Sequence, residues 1–550
     1  MGYTIKQKID ICLKSESNPE MTQADLADWA KIQYRSEKAP SQTTISRILS
    51  SKNDLIASKE TDFQLVRRRK QSNPLLRRIL TEWITQAIWE NIPITTPIIQ
   101  LTANSIWTRL PNSEKDGNGV FNHKWCNHFV KRLNINLHGD NNAILSNPGQ
   151  HKLNKVWKID EKLDLKDYLN HLIEKENYRP QDIFTMDEFK LFYSLPLDQI
   201  FDVSSVDNGL KQSSFTTENS LTIMLGCNID GSEKLTPLVV GKYDKFDISQ
   251  SSHNNFKNLS SNNISKHNLM NKITESYQIF YKSNINKWIT SSMFQNYLLA
   301  LEHKLSNASP NRKIVIILDD SSSHRIINLQ FKNIKLCYLK NNTNHKNPFS
   351  SMYNGDKFDY LPMSFGIVEE FKILYRLQQY LEMINIQRIH HKKEFKNNDS
   401  NHFLKANSIT LNNFKTMVNG SNSDSVLSES DYQIPLIKVI EWVKRSWDSI
   451  SKEKIFMSWK KTHLLNLNEN WPSSDPVIAN AANESLLPLN SITSNYNNYK
   501  SYDKLVEIMK YLNVVIPWNV DDLLGLVNER GKITLSYVSI EEIIGSCLLE

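Results

Sequence analysis

KIVIILDDSSSH, residues 313–324, decides the fold. Ile314 to Leu318 form a continuous aliphatic run, bounded by Lys313 on one side and by Asp319 and Asp320 on the other. A strand covered on both faces needs such a run, and five residues are too few for a buried helix. Working outward, DIFTMDE (182–188) is a second short apolar strand that also ends in acids. SLTIMLGCNIDGSEKLTPLVVGK (220–242) divides into two strands around Asp230-Gly231, a turn signal. Residues 182–376 alternate between strand and helix patterns, which predicts an α/β sheet with helices packed on it.

Two helical units precede this region. In the first, Thr4 caps a helix whose apolar positions include Ile5, Ile9, Cys12 and Leu13. Thr22 and Asp25 make a capping-box start for a second helix carrying Leu26, Ala27, Trp29 and Ala30. SQTTISRILS (41–50) supplies a third, with Ser41 as cap and Ile45, Ile48 and Leu49 as its apolar stripe. That stripe turns Gln42, Thr43, Ser46 and Arg47 outward near the helix start, where a recognition helix meets base edges. A helical bundle with a polar face would share the pattern. In the second unit, Asn73-Pro74 and Thr96-Pro97 open two helices. A third starts at Asn122, with Phe121, Trp125, Phe129 and Leu133 inward and His123, Lys124, Asn127, Lys131 and Arg132 outward. Between the units, Arg67, Arg68, Arg69 and Lys70 form a basic run suited to the minor groove or to nuclear import. Six of the seven net positive charges fall within residues 1–140, so a phosphate backbone is the expected partner and this segment is expected to bind it alone.

These stretches carry a resemblance. IPITTPIIQLTANSIW (92–107), FNHKWCNHFVKRLNI (121–135) and TISRILS (44–50) resemble the tandem helix-turn-helix halves of centromere protein B and of pogo/Tigger transposases. MDEFKLFYSLP, NIDGSEKLTPLVVGK, NKWITSSMFQNYL, ILDDSSSH and FGIVEEFKILYR follow in order and resemble the motifs of the DDE endonuclease domain of that group. The resemblance implies an RNase H-like fold whose chemistry needs three carboxylates around two Mg²⁺ ions about 4 Å apart. It puts the first on Asp187, beside Glu188, and the second on Asp319, five residues before His324. The third position, two before a glycine, is Ser364 in LPMSFG. A hydroxyl is a poor Mg²⁺ ligand. Phe189-Lys190 and Asp320 also depart from the family pattern, and Glu369, Asp356 and Asp359 are poorly placed to substitute. Asp187 and Asp319 therefore read as vestigial, with no metal and no cofactor expected.

The expected architecture is multidomain: two all-α helix-turn-helix domains (1–55 and 73–138) joined by a basic linker (56–72), an α/β RNase H-like DDE transposase domain (160–465), and a linker with a small helical C-terminal region (466–550). Ser- and Asn-rich stretches at 249–265 and 397–425 read as surface insertions. Five scattered cysteines without a CxxC argue for free thiols in a reducing compartment and against structural zinc. No apolar run reaches the roughly 20 residues of a membrane helix, and the N-terminus has no apolar signal core. The reading that results is a nuclear, sequence-specific transcriptional regulator without nuclease activity. Double-stranded DNA is its partner, and a homodimer or transcriptional co-factor contact would use the central or C-terminal region. An active transposase and a centromere-type chromatin protein are the alternatives.

Overall fold

The computed structural model describes residues 3–52, 55, 72–89, 94–116, 119–133, 156–157, 165–197, 219–242, 266–319, 321–326, 331–339, 361–396, 429–462, 464–465, 499–512, 517–526, 529, 537 and 539–548. The chain divides into two compact units, Met1–Pro74 and Leu75–Glu550.

The first unit holds three helices, α1 (Ile5–Ser17), α2 (Gln23–Gln33) and α3 (Gln42–Ser50). Capping boxes start α1 and α2. Thr4 accepts from the Gln7 amide while Gln7 accepts from the Thr4 amide, and Thr22 and Asp25 do the same. Ser41 caps α3 by accepting from the Thr44 amide. Ile11, Cys12, Leu26, Ala27, Ala30, Ile45 and Ile48 make the core, and Trp29, expected inward, is only partly covered.

The second unit opens with α4 (Pro74–Trp89), α5 (Thr96–Arg109) and α6 (His123–Arg132). Their core includes Leu76, Ile79, Leu80, Ile99, Ala103, Ile106, Cys126, Phe129 and Val130. Leu101 of α5 is 70% exposed despite its apolar side chain. Trp125 and Leu133 are only partly buried, because Cys126 and Val130 take the central positions on α6.

A seven-stranded sheet follows: β1 (Val156–Trp157), β2 (Ile183–Phe192), β3 (Ser220–Asn228), β4 (Leu238–Gly241), β5 (Phe280–Ser283), β6 (Ile314–Asp319) and β7 (Ile334–Leu339). Its spatial order is β1-β7-β6-β2-β3-β4-β5. β2, β3 and β4 pair antiparallel, whereas β2–β6, β6–β7 and β4–β5 are parallel. Helices α7 (Leu165–Glu176) and α8 (Lys266–Tyr277) intervene along the chain. The aliphatic run 314–318 is buried throughout, because helices cover both faces. On one face Ile314, Ile316 and Leu318 pack with α9 (Ser291–Ala308). On the other, Val315 and Ile317 share a core with α10 (Ile367–Lys396), α11 (Leu436–Ser449) and α12 (Lys452–Thr462). Trp442, Trp447 and Trp459 are among its buried anchors. Asp230 and Gly231 (φ +62°) make the turn after β3.

The described residues after 466 do not stand apart. Helices α13 (Tyr499–Met509) and α14 (Val520–Leu524) add Leu505, Ile508, Val520 and Leu523 to the core beneath α10. Glu529 is buried between Lys372 (3.3 Å) and Arg376 (2.7 Å), and it also accepts from the Phe192 amide at the end of β2. The last helix, α15 (Ile540–Cys547), leaves that core altogether. Its Ile543, Ile544 and Cys547 complete the core of α4–α6. The insertions 249–265 and 397–425 lie outside the described residues.

Candidate nucleic-acid interface

Two helices present polar faces at their starts. On α3 the buried Ile45 and Ile48 fix the rotation of the helix, leaving Gln42, Thr43, Ser46 and Arg47 exposed. On α6 burial of Cys126, Phe129 and Val130 does the same for His123, Lys124, Asn127, Lys131 and Arg132, all exposed. His128, absent from the sequence reading, is exposed on α6 as well. The face is partly ordered by its own contacts: Asn127 Nδ2 lies 3.0 Å from His123 Nδ1, and Asn127 Oδ1 lies 3.5 Å from the Thr96 hydroxyl. Arg67, Arg68, Arg69 and Lys70 lie outside the described residues.

The α6 face is tied to the sheet by side chains that sequence spacing does not link. Glu82 of α4 is buried and accepts from the Ser291 amide (3.1 Å) and hydroxyl at the start of α9. Tyr537 donates to the same carboxylate at 3.2 Å. Burial pushes the Glu82 carboxyl upward, and these hydrogen bonds partly offset it. A carboxylate at a helix N-terminus also complements the helix dipole. Helix α15 adds the Arg78 bond to the Cys547 carbonyl and the Arg109–Glu541 pair. From its other side, Asn286 donates to the Glu542 carbonyl (2.9 Å) and the Ser546 hydroxyl (2.7 Å).

The carboxylates form a separate cluster in the sheet. The β2–β6 register pairs Thr185 with Ile317, so continuing it two residues sets Asp187 level with Asp319 on the neighbouring strand. Glu188 projects to the opposite face, as side chains alternate along a strand. His324 bridges the strands, with Nε2 2.6 Å from Glu188 Oε2 and Nδ1 2.7 Å from Asp319 Oδ1. Ser323 donates to Glu188 Oε1 at 3.2 Å, and Tyr338 donates to the His324 carbonyl at 2.7 Å. Burial alone would lower the His324 pKa. The Glu188 and Asp319 carboxylates outweigh it and hold the imidazole well above its ordinary value.

Ser364 lies in a 3₁₀ turn, Pro362–Phe365, that Gly366 (φ +127°) joins to α10. It is exposed, as is Glu369. Glu370, one residue on, is buried 3.9 Å from Lys454. Lys190 does not share a face with Asp187: the β2–β3 register is unbroken from Phe184 to Phe192, and the residues are three apart. Its ammonium lies 5.1 Å from the Phe192 ring, and burial lowers its pKa against the opposing Glu529 charge. Asp320, Asp356 and Asp359 lie outside the described residues. Among the described residues, no group of three or more His, Cys, Asp or Glu side chains has a metal-holding arrangement.

Residues 73–138 match the Tc5 transposase DNA-binding domain, and residues 218–459 match the DDE superfamily endonuclease. Over its full length the chain is 64% identical to protein PDC2 of Candida albicans and 34% identical to protein PDC2 of Saccharomyces cerevisiae. The chain is transposase-derived and PDC2-like. It spans 64% and 52% of the lengths of those two relatives. CENP-B homolog protein 2 of Schizosaccharomyces pombe is 29% identical over 231 residues, 41% of this chain and 40% of that protein. The DNA-binding match coincides with α4–α6. The endonuclease match begins at residue 218, so β2 and Asp187 lie upstream of it. It ends at residue 459, whereas the sheet's helical cover continues through α13, α14 and Glu529.

Proposed function

We propose that this chain is a sequence-specific DNA-binding transcriptional regulator, acting in the nucleus, whose endonuclease-type domain no longer cuts DNA. The observation that carries the reading is the pair of outward faces on α3 and α6. Each holds amide, hydroxyl or cationic side chains in the row that a recognition helix turns to the major groove. Arg47 and Gln42 read bases, and Lys124, Lys131 and Arg132 hold phosphates or read the second half-site. The match of residues 73–138 to the Tc5 transposase DNA-binding domain supports the DNA-binding part of this reading.

The sheet supports an RNase H-like arrangement. Its inner strands run β4-β3-β2-β6-β7, the first three antiparallel and the last two parallel to β2. Acids stand level on β2 and β6, where such a domain assembles its ions. The residues present do not fit two clamped divalent ions. Ser364 offers a hydroxyl from an exposed turn, and His324 already sits against Asp319 Oδ1 and Glu188 Oε2.

The test uses the full chain. Bound sites are selected from a random oligonucleotide pool, and a supercoiled plasmid carrying the selected site is then incubated with protein and Mg²⁺ or Mn²⁺. Selective binding without nicking is expected. Nicking that disappears in Asp187→Ala and Asp319→Ala would overturn the inactive reading, and failure to enrich any sequence would overturn the regulator reading.

A further inference from the structure

Asn127 stands on the outward face of α6, and two neighbours hold its side-chain amide. His123 lies one helical turn back, with Nδ1 3.0 Å from Asn127 Nδ2. Thr96, the first residue of α5 and itself buried, donates its hydroxyl to Asn127 Oδ1 at 3.5 Å. One contact therefore comes from α6 and the other from a different helix. An amide held at both its nitrogen and its oxygen is oriented before any ligand arrives, so it loses little freedom on binding.

What these contacts leave over decides what the amide can recognise. A carboxamide has two N–H donors and two acceptor lone pairs. His123 engages one donor and Thr96 fills one lone pair, so one N–H and one lone pair remain. Turning the amide over, with Thr96 accepting and His123 donating, leaves the same remainder. Among the four bases, adenine alone sets an acceptor, N7, beside a donor, the N6 amino group, on its major-groove edge. Guanine offers two acceptors there, cytosine a donor, and thymine an acceptor beside a methyl group. Asn127 is the fifth of the ten residues of α6 and is uncharged, with Lys124 and Lys131 about one turn away on either side. Cations gain most from phosphates, whereas a neutral donor–acceptor pair gains most from a base edge.

We propose that Asn127 reads one adenine of the target site in the major groove, donating to N7 and accepting from N6, with Thr96 and His123 as its positioning residues. This rests on the DNA-binding reading and adds to it the base that α6 selects. The choice of base at that position is then set jointly by α5 and α6, because Thr96 orients the amide from outside the reading helix.

The experiment measures binding of the full chain to its selected duplex. Each adenine is replaced in turn by 7-deazaadenine, which lacks the N7 acceptor, or by purine, which lacks the N6 amino group. At one adenine each analogue should weaken wild-type binding about tenfold. Asn127→Ala should lose nothing further at that adenine and should respond as the wild type does at the others. Asn127 is exposed and alanine favours a helix, so this variant keeps the fold. Thr96→Val and His123→Ala should each narrow the preference for adenine at that position about threefold, leaving the preferences at other positions unchanged. A merely structural role would weaken binding to every sequence alike, and that result would overturn the positioning roles. If Lys131→Ala weakens binding while Asn127→Ala keeps every adenine preference of the wild type, the adenine assignment alone is refuted. If neither variant changes binding, α6 does not meet DNA and the broader reading fails with it.

Discussion

Consider replacing Ile543 and Ile544 of α15 together by alanine. Both are buried, at 3% and 6% exposure, in the core that α4, α5 and α6 share. Neither lies on the proposed DNA-facing helices. Truncating a buried isoleucine to alanine costs about 2–5 kcal/mol, depending on how far the cavity collapses. Adjacent residues lining one cavity do not add fully, so about 4–7 kcal/mol is the expected loss. A domain's whole stability is about 5–15 kcal/mol. The loss should therefore open α4–α6 locally while leaving the sheet and the first unit folded. Amide hydrogen exchange followed by mass spectrometry resolves these segments. Protection in α4–α6 should fall by a hundredfold or more, with α1–α3, β2 and β6 unchanged. Binding to the half of the site read by α6 should weaken in parallel. A fragment of residues 1–140 lacks α15 and should share the defect, although the charge distribution predicts that it binds alone. Unchanged protection in α4–α6 in the double variant would refute the claim that α15 completes this core.

Other outcomes follow from the same structure. Arg47→Ala should cost about 1–3 kcal/mol at the selected site and relax base preference there, read by competition against single-base variants. Glu529→Gln leaves Lys372 and Arg376 buried against a neutral amide, so it should destabilise the second unit by about 3–5 kcal/mol in urea unfolding. His324 has a folded pKa well above its unfolded value near 6.5, so its stabilisation is complete below that pH and is lost as pH rises through the folded pKa. Urea midpoints measured from pH 6 upward should decline in the wild type, and His324→Gln should flatten that decline.

Where a local physical rule decides an element, the sequence shows it. Thr4, Thr22, Ser41 and Asn122 are short side chains ahead of apolar periodicity, and each caps the helix expected of it. The run at 314–318 has no polar member, and it is the strand buried on both faces. The outward residues of α3 and α6 follow directly from which isoleucines, cysteines and phenylalanines turn in. What the sequence hid depends on distant chain segments meeting. Glu82 reads as one polar residue on an amphipathic helix, yet it caps a helix start 209 residues away. Glu529 sits in a short polar stretch, with nothing nearby to announce Lys372 and Arg376. IEEIIGSC reads as an ordinary terminal helix, because its apolar side names no partner.

The carboxylate positions differ in what they do for the fold, and that difference bears on the proposed loss of nuclease chemistry. Glu188, Asp319 and His324 are buried and mutually charged, with Ser323 and Tyr338 tying the cluster to neighbouring backbone. Removing one member strands an unpaired charge in the interior, a change that costs about 3–5 kcal/mol. Ser364 stands exposed in a 3₁₀ turn, where a side-chain change is worth about half a kcal/mol or less. On the proposed reading, a substitution that abolishes metal binding is nearly free to the fold at Ser364 and severe at Asp319. On the proposed reading, Asp319 persists because the body needs its charge against His324. On the same reading the body persists because Glu82, Asn286 and α15 fasten the α4–α6 bundle to it. On that reading the sheet serves as the rigid mount of a DNA-reading helix, a proposed role that uses its packing and none of its chemistry.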